Sequence, residues 1–125
     1  MRTSVLLSIK PTFAEAILEG TKRFEFRRSL FKRPIDKVLL YASSPVQRVI
    51  GEFLVAEVLV MRLDRLWSET ARYAGIDRRY FDAYFRGLQL GLAIKVKATT
   101  RYRTPLDLKA HLRIQYPPQS FCYLT

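Results

Sequence analysis

"RVIGEFLVAEVLVMR", residues 48–62, is a long run rich in valine and other apolar residues, with one glycine near its start. β-branched residues favour a pleated strand. A glycine inside such a run marks a bulge or a close approach of another backbone. A strand of this length with a glycine bend is the signature of a small curved barrel. The neighbouring segments fit that reading. "KVLLYAS" (37–43) is a buried strand that stops at Ser43-Ser44-Pro45, and "SVLLSI" (4–9) is a third, ended by Lys10-Pro11.

Between these strands the period changes. "PTFAEAILEG" (11–20) puts Phe13 and Ile17 on one helical face, with Pro11 in the first turn and Gly20 as the C-cap. Residues 22–28 return as a strand, and 29–36 form a basic loop broken by Pro34. Residues 63–76 and 77–87 read as two helices, with Gly75 and Gly87 as C-caps and Asp77 as the second N-cap. Tyr80, Phe81, Tyr84 and Phe85 recur at helical spacing and are expected in the core. "LGLAIKVKATTRY" (90–102) alternates, so Lys95 and Lys97 face solvent; 105–112 is a helical turn and 120–124 a last strand. Five or six strands with two to four inserted helices make an α+β domain built on a small curved β-barrel, expected to span residues 1–125.

The bulk numbers narrow the function. Lys and Arg number 22 against 11 acids, a net charge of +11 in 125 residues. Such an excess favours polyanionic partners, and arginine suits bidentate phosphate contacts. The basic residues alternate with aromatics, which points to nucleic acid. A basic face kept for solubility, or for an acidic protein, stays open. No apolar run approaches the roughly 20 residues of a membrane span. The apolar stretch of "MRTSVLLSIKP" is too short for a signal peptide, so a cytoplasmic location is expected. Cys122 is the single cysteine and His111 the single histidine, so neither a disulfide nor a metal centre is expected, and no cofactor motif is present.

Three segments carry candidate chemistry. In "GTKRFEFRR" (20–28), Glu25 stands among Lys22, Arg27 and Arg28. Strand alternation puts Glu25 with Arg27, and Lys22 on the opposite face. A strand starting only at Arg23 would instead let the turn at Gly20 bring Lys22 to Glu25. The arrangement suits a ligand that needs cations and an acceptor, or it is a surface ion pair. "YASSPV" (41–46) offers the hydroxyls of Ser43 and Ser44 at a strand end, a phosphate or base-edge site or an ordinary turn. "YPPQSF" (116–121) is a stiff segment in which Gln119 has an amide able to read a base edge, beside Ser120.

Taken in order, "LLSIKPTFAEAILEGTKRFEFRR" and "VLLYASSPVQRVIGEF" resemble the ASCH family of the PUA-like superfamily. The likeness rests on SIKP entering a helix, then Gly20, Lys22, Glu25 and Arg27 in a G-x-K-x-x-E-x-R block. The YASSP turn, the glycine-containing strand, two helices and the PPQS segment complete it. The resemblance implies a small β-barrel with a cleft lined by that block, and binding of RNA or modified nucleotides. One branch of the family hydrolyses acetylated cytidine with a lysine, a threonine and a glutamate. Lys22 matches the lysine, while Glu25 takes the threonine position and about Ala74 the glutamate position.

The expectation is a nucleic-acid-binding module, RNA ahead of DNA, with a cleft for a nucleotide or modified base. Lys22, Arg27 and Arg28 would meet phosphate or a base edge. Glu25 would accept from an amine and keep Lys22 charged, and Lys10 would sit at the rim. Ser43 with Ser44, and Gln119 with Ser120, would close two walls. Arg72, Arg78, Arg79, Lys95, Lys97, Arg101 and Arg103 would follow the backbone. At a cleft rim, Lys22 and Arg27 would be dispensable for folding. The alternatives are an enzyme of the same fold, a ribonuclease or a nucleoside hydrolase with Lys22 as its catalytic group, and an adaptor for an acidic protein. Oligomeric state is left open.

Overall fold

The computed structural model describes residues 3–124. Strand β1 is Ser4–Ile9, followed by helix α1, Pro11–Glu19, and strand β2, Phe24–Arg27. Strands β3 (Lys37–Ala42) and β4 (Arg48–Arg62) come next, then helices α2 (Leu63–Thr70) and α3 (Arg78–Tyr84). Strand β5, Leu90–Leu106, and strand β6, Phe121–Tyr123, complete the sheet. Short helical turns at Ala71–Tyr73 and Leu108–Leu112 lie between them.

The six strands form one sheet in the order β2-β5-β4-β3-β1-β6. All pairs are antiparallel except β1 with β3. The long valine-rich run is the spine. Its register with β5 shifts between Val49 and Gly51, and twice more between Leu54 and Glu57. Each shift adds local twist, so the sheet curls into a half-barrel. Gly51 has the expected close neighbour: a Cβ there would lie 2.6 Å from the Thr100 carbonyl and 2.9 Å from Leu18.

The sheet packs on both faces. On β1, Val5, Leu7 and Ile9 join Ile17 of α1 and Phe53 in one cluster, while Leu6 joins Leu39, Val49 and Leu108 in another. A third cluster lies under α2 and α3, where Phe24 and Phe26 of β2 meet Leu66, Phe81 and Phe85. Phe26, Phe81 and Phe85 pack edge to face, with centroids 4.8–6.0 Å apart.

Several element boundaries differ from the sequence reading, among them the end of α3, which stops at Tyr84 with Phe85 rather than Gly87 as its cap, and two of the differences shape the site. The strand expected over 22–28 spans only Phe24–Arg27. The N–H groups of Gly20, Thr21 and Lys22 all bond the Ala16 carbonyl, so the helix exit holds Lys22 out of the strand. Gly20, at φ 90°, makes this left-handed exit possible. The helix expected over 63–76 breaks up after Thr70, and Gly75 sits at φ +71°. The strand expected to stop at 102 continues to Leu106, because Val49 of β4 still pairs there. Asp77 is the N-cap of α3 as read from the sequence, accepting from the Tyr80 N–H at 2.8 Å.

Candidate functional site

Edge strand β2 lies at one end of the hydrogen-bonded order and β1 near the other. A side chain rather than a backbone ladder spans the gap. Arg27 Nη2 donates to the Ser8 carbonyl of β1 at 2.9 Å, and Nη1 donates to Ser120 Oγ, just before β6, at 3.2 Å. The same Nη2 lies 2.8 Å from Glu25 Oε2. Alternation along β2 explains the pairing: Glu25 and Arg27 share one face while Phe24 and Phe26 join the α2–α3 cluster.

Lys22 reaches the same carboxylate from outside the strand, as the open alternative at the Gly20 turn required. Its Nζ lies 3.9 Å from Glu25 Oε1 and donates to the Ala74 carbonyl at 2.5 Å. It also lies 5.0 Å from the centroids of Phe13 and Phe26, within cation–π range. Lys22 is 1% exposed, Glu25 5% and Arg27 9%. These are buried groups, so the expectation that Lys22 and Arg27 sit at a rim is corrected. Burial lowers the Lys22 pKa more than the Glu25 carboxylate raises it, and the nearby Arg27 charge lowers it further. The break before α3 is shaped to this side chain: a Cβ at Gly75 would lie 2.5 Å from Lys22 Cγ.

The three charges line a cavity of about 150 Å³. Its other walls are Ser8, Ile9 and Phe13 on one side, and Phe26, Ile76, Tyr80 and Tyr84 on the other. A cavity of about this volume accepts a single benzene ring. Lys10 stands at the mouth, donating to Tyr80 Oη at 3.2 Å. Tyr84 donates to the Phe26 carbonyl at 3.0 Å, and burial raises its phenol pKa. Arg27 Nε is buried with no hydrogen-bond partner, a donor left over in the wall of the site. Among the described residues no group of three or more His, Cys, Asp or Glu side chains converges into a metal site.

Of the residues singled out in the sequence, Lys10, Lys22, Glu25 and Arg27 meet at this cavity, and Ser120 is tied to it through Arg27. The others do not. Arg28 points away and donates to the carbonyls of Tyr84 and Arg86 at the end of α3, since alternation separates it from Arg27. Ser43 and Ser44 sit one strand further on; the Ser43 N–H bonds the Ile9 carbonyl at 2.9 Å, and Ser8 and Ile9 form the wall instead. Gln119 is exposed and off the cavity lining. Ala74, where the resemblance put a catalytic glutamate, does meet Lys22, but through its backbone carbonyl.

Helical spacing places Tyr80 and Tyr84 in the core alongside Phe81 and Phe85, and the structure separates them. The phenylalanines are fully buried, whereas the tyrosines line the cavity. The hydroxyls were the available signal, because a buried tyrosine needs a partner for its polar end. Phe13 and Ile76 carried no such mark.

Fold and cavity together define a basic α+β domain of PUA-like architecture with a buried lysine–glutamate–arginine site. The ASCH domain model matches residues 7–104, so the chain belongs to the ASCH domain family. An ASCH domain-containing ribonuclease of Zymomonas mobilis is 30% identical over 126 residues, covering 98% of this chain and 85% of that protein. The crystal structure of ASCH from Zymomonas mobilis superposes with a TM-score of 0.91 at 29% identity, covering 100% of this chain and 90% of that one. In Ureaplasma parvum, a protein named ATP synthase subunit alpha is 30% identical over 124 residues. That match takes in 98% of this chain but 15% of that protein's length.

Proposed function

We propose that this domain binds RNA and takes one nucleobase, plain or modified, into the cavity between β2 and α3. The observation that carries the reading is the buried Lys22–Glu25–Arg27 group opening into a ring-sized, aromatic-walled cavity. Three charges held out of water are costly, and an apolar trio of similar volume would serve folding at least as well. A base edge uses what they offer. Glu25 accepts from an amine, Lys22 and Arg27 donate to ring nitrogens or carbonyls, and Lys10 at the mouth meets a phosphate. The family resemblance, the +11 charge and the Zymomonas mobilis relative named as a ribonuclease support the same reading. No helix among the described residues is long and apolar enough to cross a membrane, and a cytoplasmic domain acting on RNA fits that. A single ASCH unit over residues 1–125 is part of this proposal.

The test is a titration of single-stranded RNA across a salt series. Affinity should fall linearly in log–log form, by roughly 0.7 for each phosphate neutralised on a single strand. Lys22→Met, which keeps the buried methylenes, should weaken binding. A flat salt response with undiminished binding by Lys22→Met would overturn the reading.

A second reading, RNA cleavage, is favoured by the 30% identity to that ribonuclease over 85% of its length. Cleavage through a 2′-hydroxyl needs a base. Burial lowers the pKa of Lys22 toward that use. A metal-free time course on the same RNA decides: multiple turnovers abolished by Lys22→Met mean an enzyme, and binding without cleavage means a reader.

A further inference from the structure

Tyr116 is 75% exposed, the most exposed large apolar or aromatic side chain among the described residues. Among the described residues no ring or cation packs against its face, and its one hydrogen bond is from the Gln115 amide to its hydroxyl at 3.5 Å. An aromatic this open has no role in the core. Its position along the chain is informative. Two residues on, the Pro118 carbonyl accepts from Ser8 Oγ at 2.6 Å, and Ser8 lines the cavity. Two residues further, Ser120 Oγ accepts from Arg27, and its carbonyl accepts from the Ser8 N–H at 2.9 Å. Tyr116 is thus joined to the cavity wall by a Pro-Pro segment. Two residues span at most about 7 Å, and fixed proline φ angles limit how far the ring can wander.

We propose that Tyr116 is a stacking platform for the base next to the one held in the cavity, so that the domain reads a single-stranded RNA segment of at least two nucleotides. This rests on the cavity being the site for a base. The charge around the platform suits the partner. Lys109 and Arg113 precede it in the sequence, and residues 108–125 contain no Asp or Glu. An exposed aromatic beside a basic approach is how single strands are held without sequence preference, since every base offers a π-face. In a duplex the neighbouring base is already stacked and paired, so the platform commits the domain to single strands.

The experiment uses the 125-residue protein with fluorescein-labelled RNA octamers of mixed sequence, single-stranded and duplex, across a salt series. Tyr116→Ala should weaken single-strand binding by roughly 5- to 100-fold, the range for loss of one base–aromatic stack. The loss should be the same at every salt concentration, because stacking releases no counterions, and Tyr116→Trp should restore affinity. Duplex binding should not change between the parent and Tyr116→Ala. Undiminished single-strand binding by Tyr116→Ala, or a loss that shrinks as salt rises, overturns the platform. Lys22→Met in the same assay separates the two readings. If it weakens binding while Tyr116→Ala does not, the cavity stands and the platform falls. If neither matters, both fall.

Discussion

Two of the glutamate–arginine pairs among the described residues differ sharply in setting, one on the surface and one within β2. Glu15 of α1 and Arg101 of β5 form a fork-to-fork pair at 2.6 and 3.1 Å, with both side chains about half exposed (46% and 49%). Glu25 and Arg27 make one close contact, at 2.8 Å, with side chains 6% and 11% exposed and Lys22 as a third charge. The surface pair has the better geometry. Hydrogen bonding from Arg101 lowers the Glu15 pKa, so the two do interact. Yet water screens that pair and can replace either partner. The inner group has no such substitute, so its consequences are larger in both directions: it costs more to hold and more to disturb. Burial, not contact quality, ranks the two pairs, and a charged group held out of water in a cavity wall is the mark of a site.

The largest effect should come from Glu25→Ala. It leaves Lys22 and Arg27 facing each other without their carboxylate, and breaking a buried pair from one side costs about 3–5 kcal/mol. Guanidinium unfolding should show that loss as a lower midpoint. An unchanged midpoint would remove the distinction between the two pairs.

Gly75→Ala should come next. Its left-handed φ costs an alanine about 1–2 kcal/mol, and the new methyl would displace Lys22, which lies 2.5 Å from that position at Cγ. RNA affinity should drop roughly tenfold, the scale of one charge-assisted hydrogen bond. An alanine variant with parental stability and affinity would show that Lys22 is not held by this contact.

The third effect is a slope against pH. Lys22 has a folded pKa below its ordinary value of 10.5. Between the folded and unfolded pKa values the unfolded chain binds more protons, so this group's contribution to stability rises with pH through that window. The contribution is complete above the unfolded pKa and is lost as pH falls through the folded one. Subtracting the Lys22→Met profile from the parent profile should isolate that rise, and a difference of opposite sign would mean that Glu25 outweighs burial. The smallest effect belongs to the surface. Arg101→Ala should keep its melting temperature within about 2 °C of the parent, and a larger drop would place the two pairs on a level.

Much of this was legible from residue types. The valine-rich run with Gly51, the strands around it, the Gly20 exit and the Asp77 cap are local matters of period, propensity and backbone freedom. The Gly20–Arg27 block identified the family and put Glu25 with Arg27 by alternation alone. The depth of those residues was not legible. Nothing near Lys22 in sequence announces that the Ala74 carbonyl, 52 positions on, will bond it.

The sequence by itself determined the sheet's spine, the family and the identity of the three charges, because each follows from patterns within a few residues. Only the tertiary structure decided that these charges are buried rather than at a rim, and that Tyr80 and Tyr84 line a cavity instead of the core. It also decided that Arg28, Ser43, Ser44 and Gln119 stand apart from that cavity. The physical reason is that burial and electrostatic environment are set by which distant segments pack together. The curl of the sheet brings β1 back toward β2, and α3 closes over the gap, so the ionisation of Lys22 depends on contacts that no local pattern encodes.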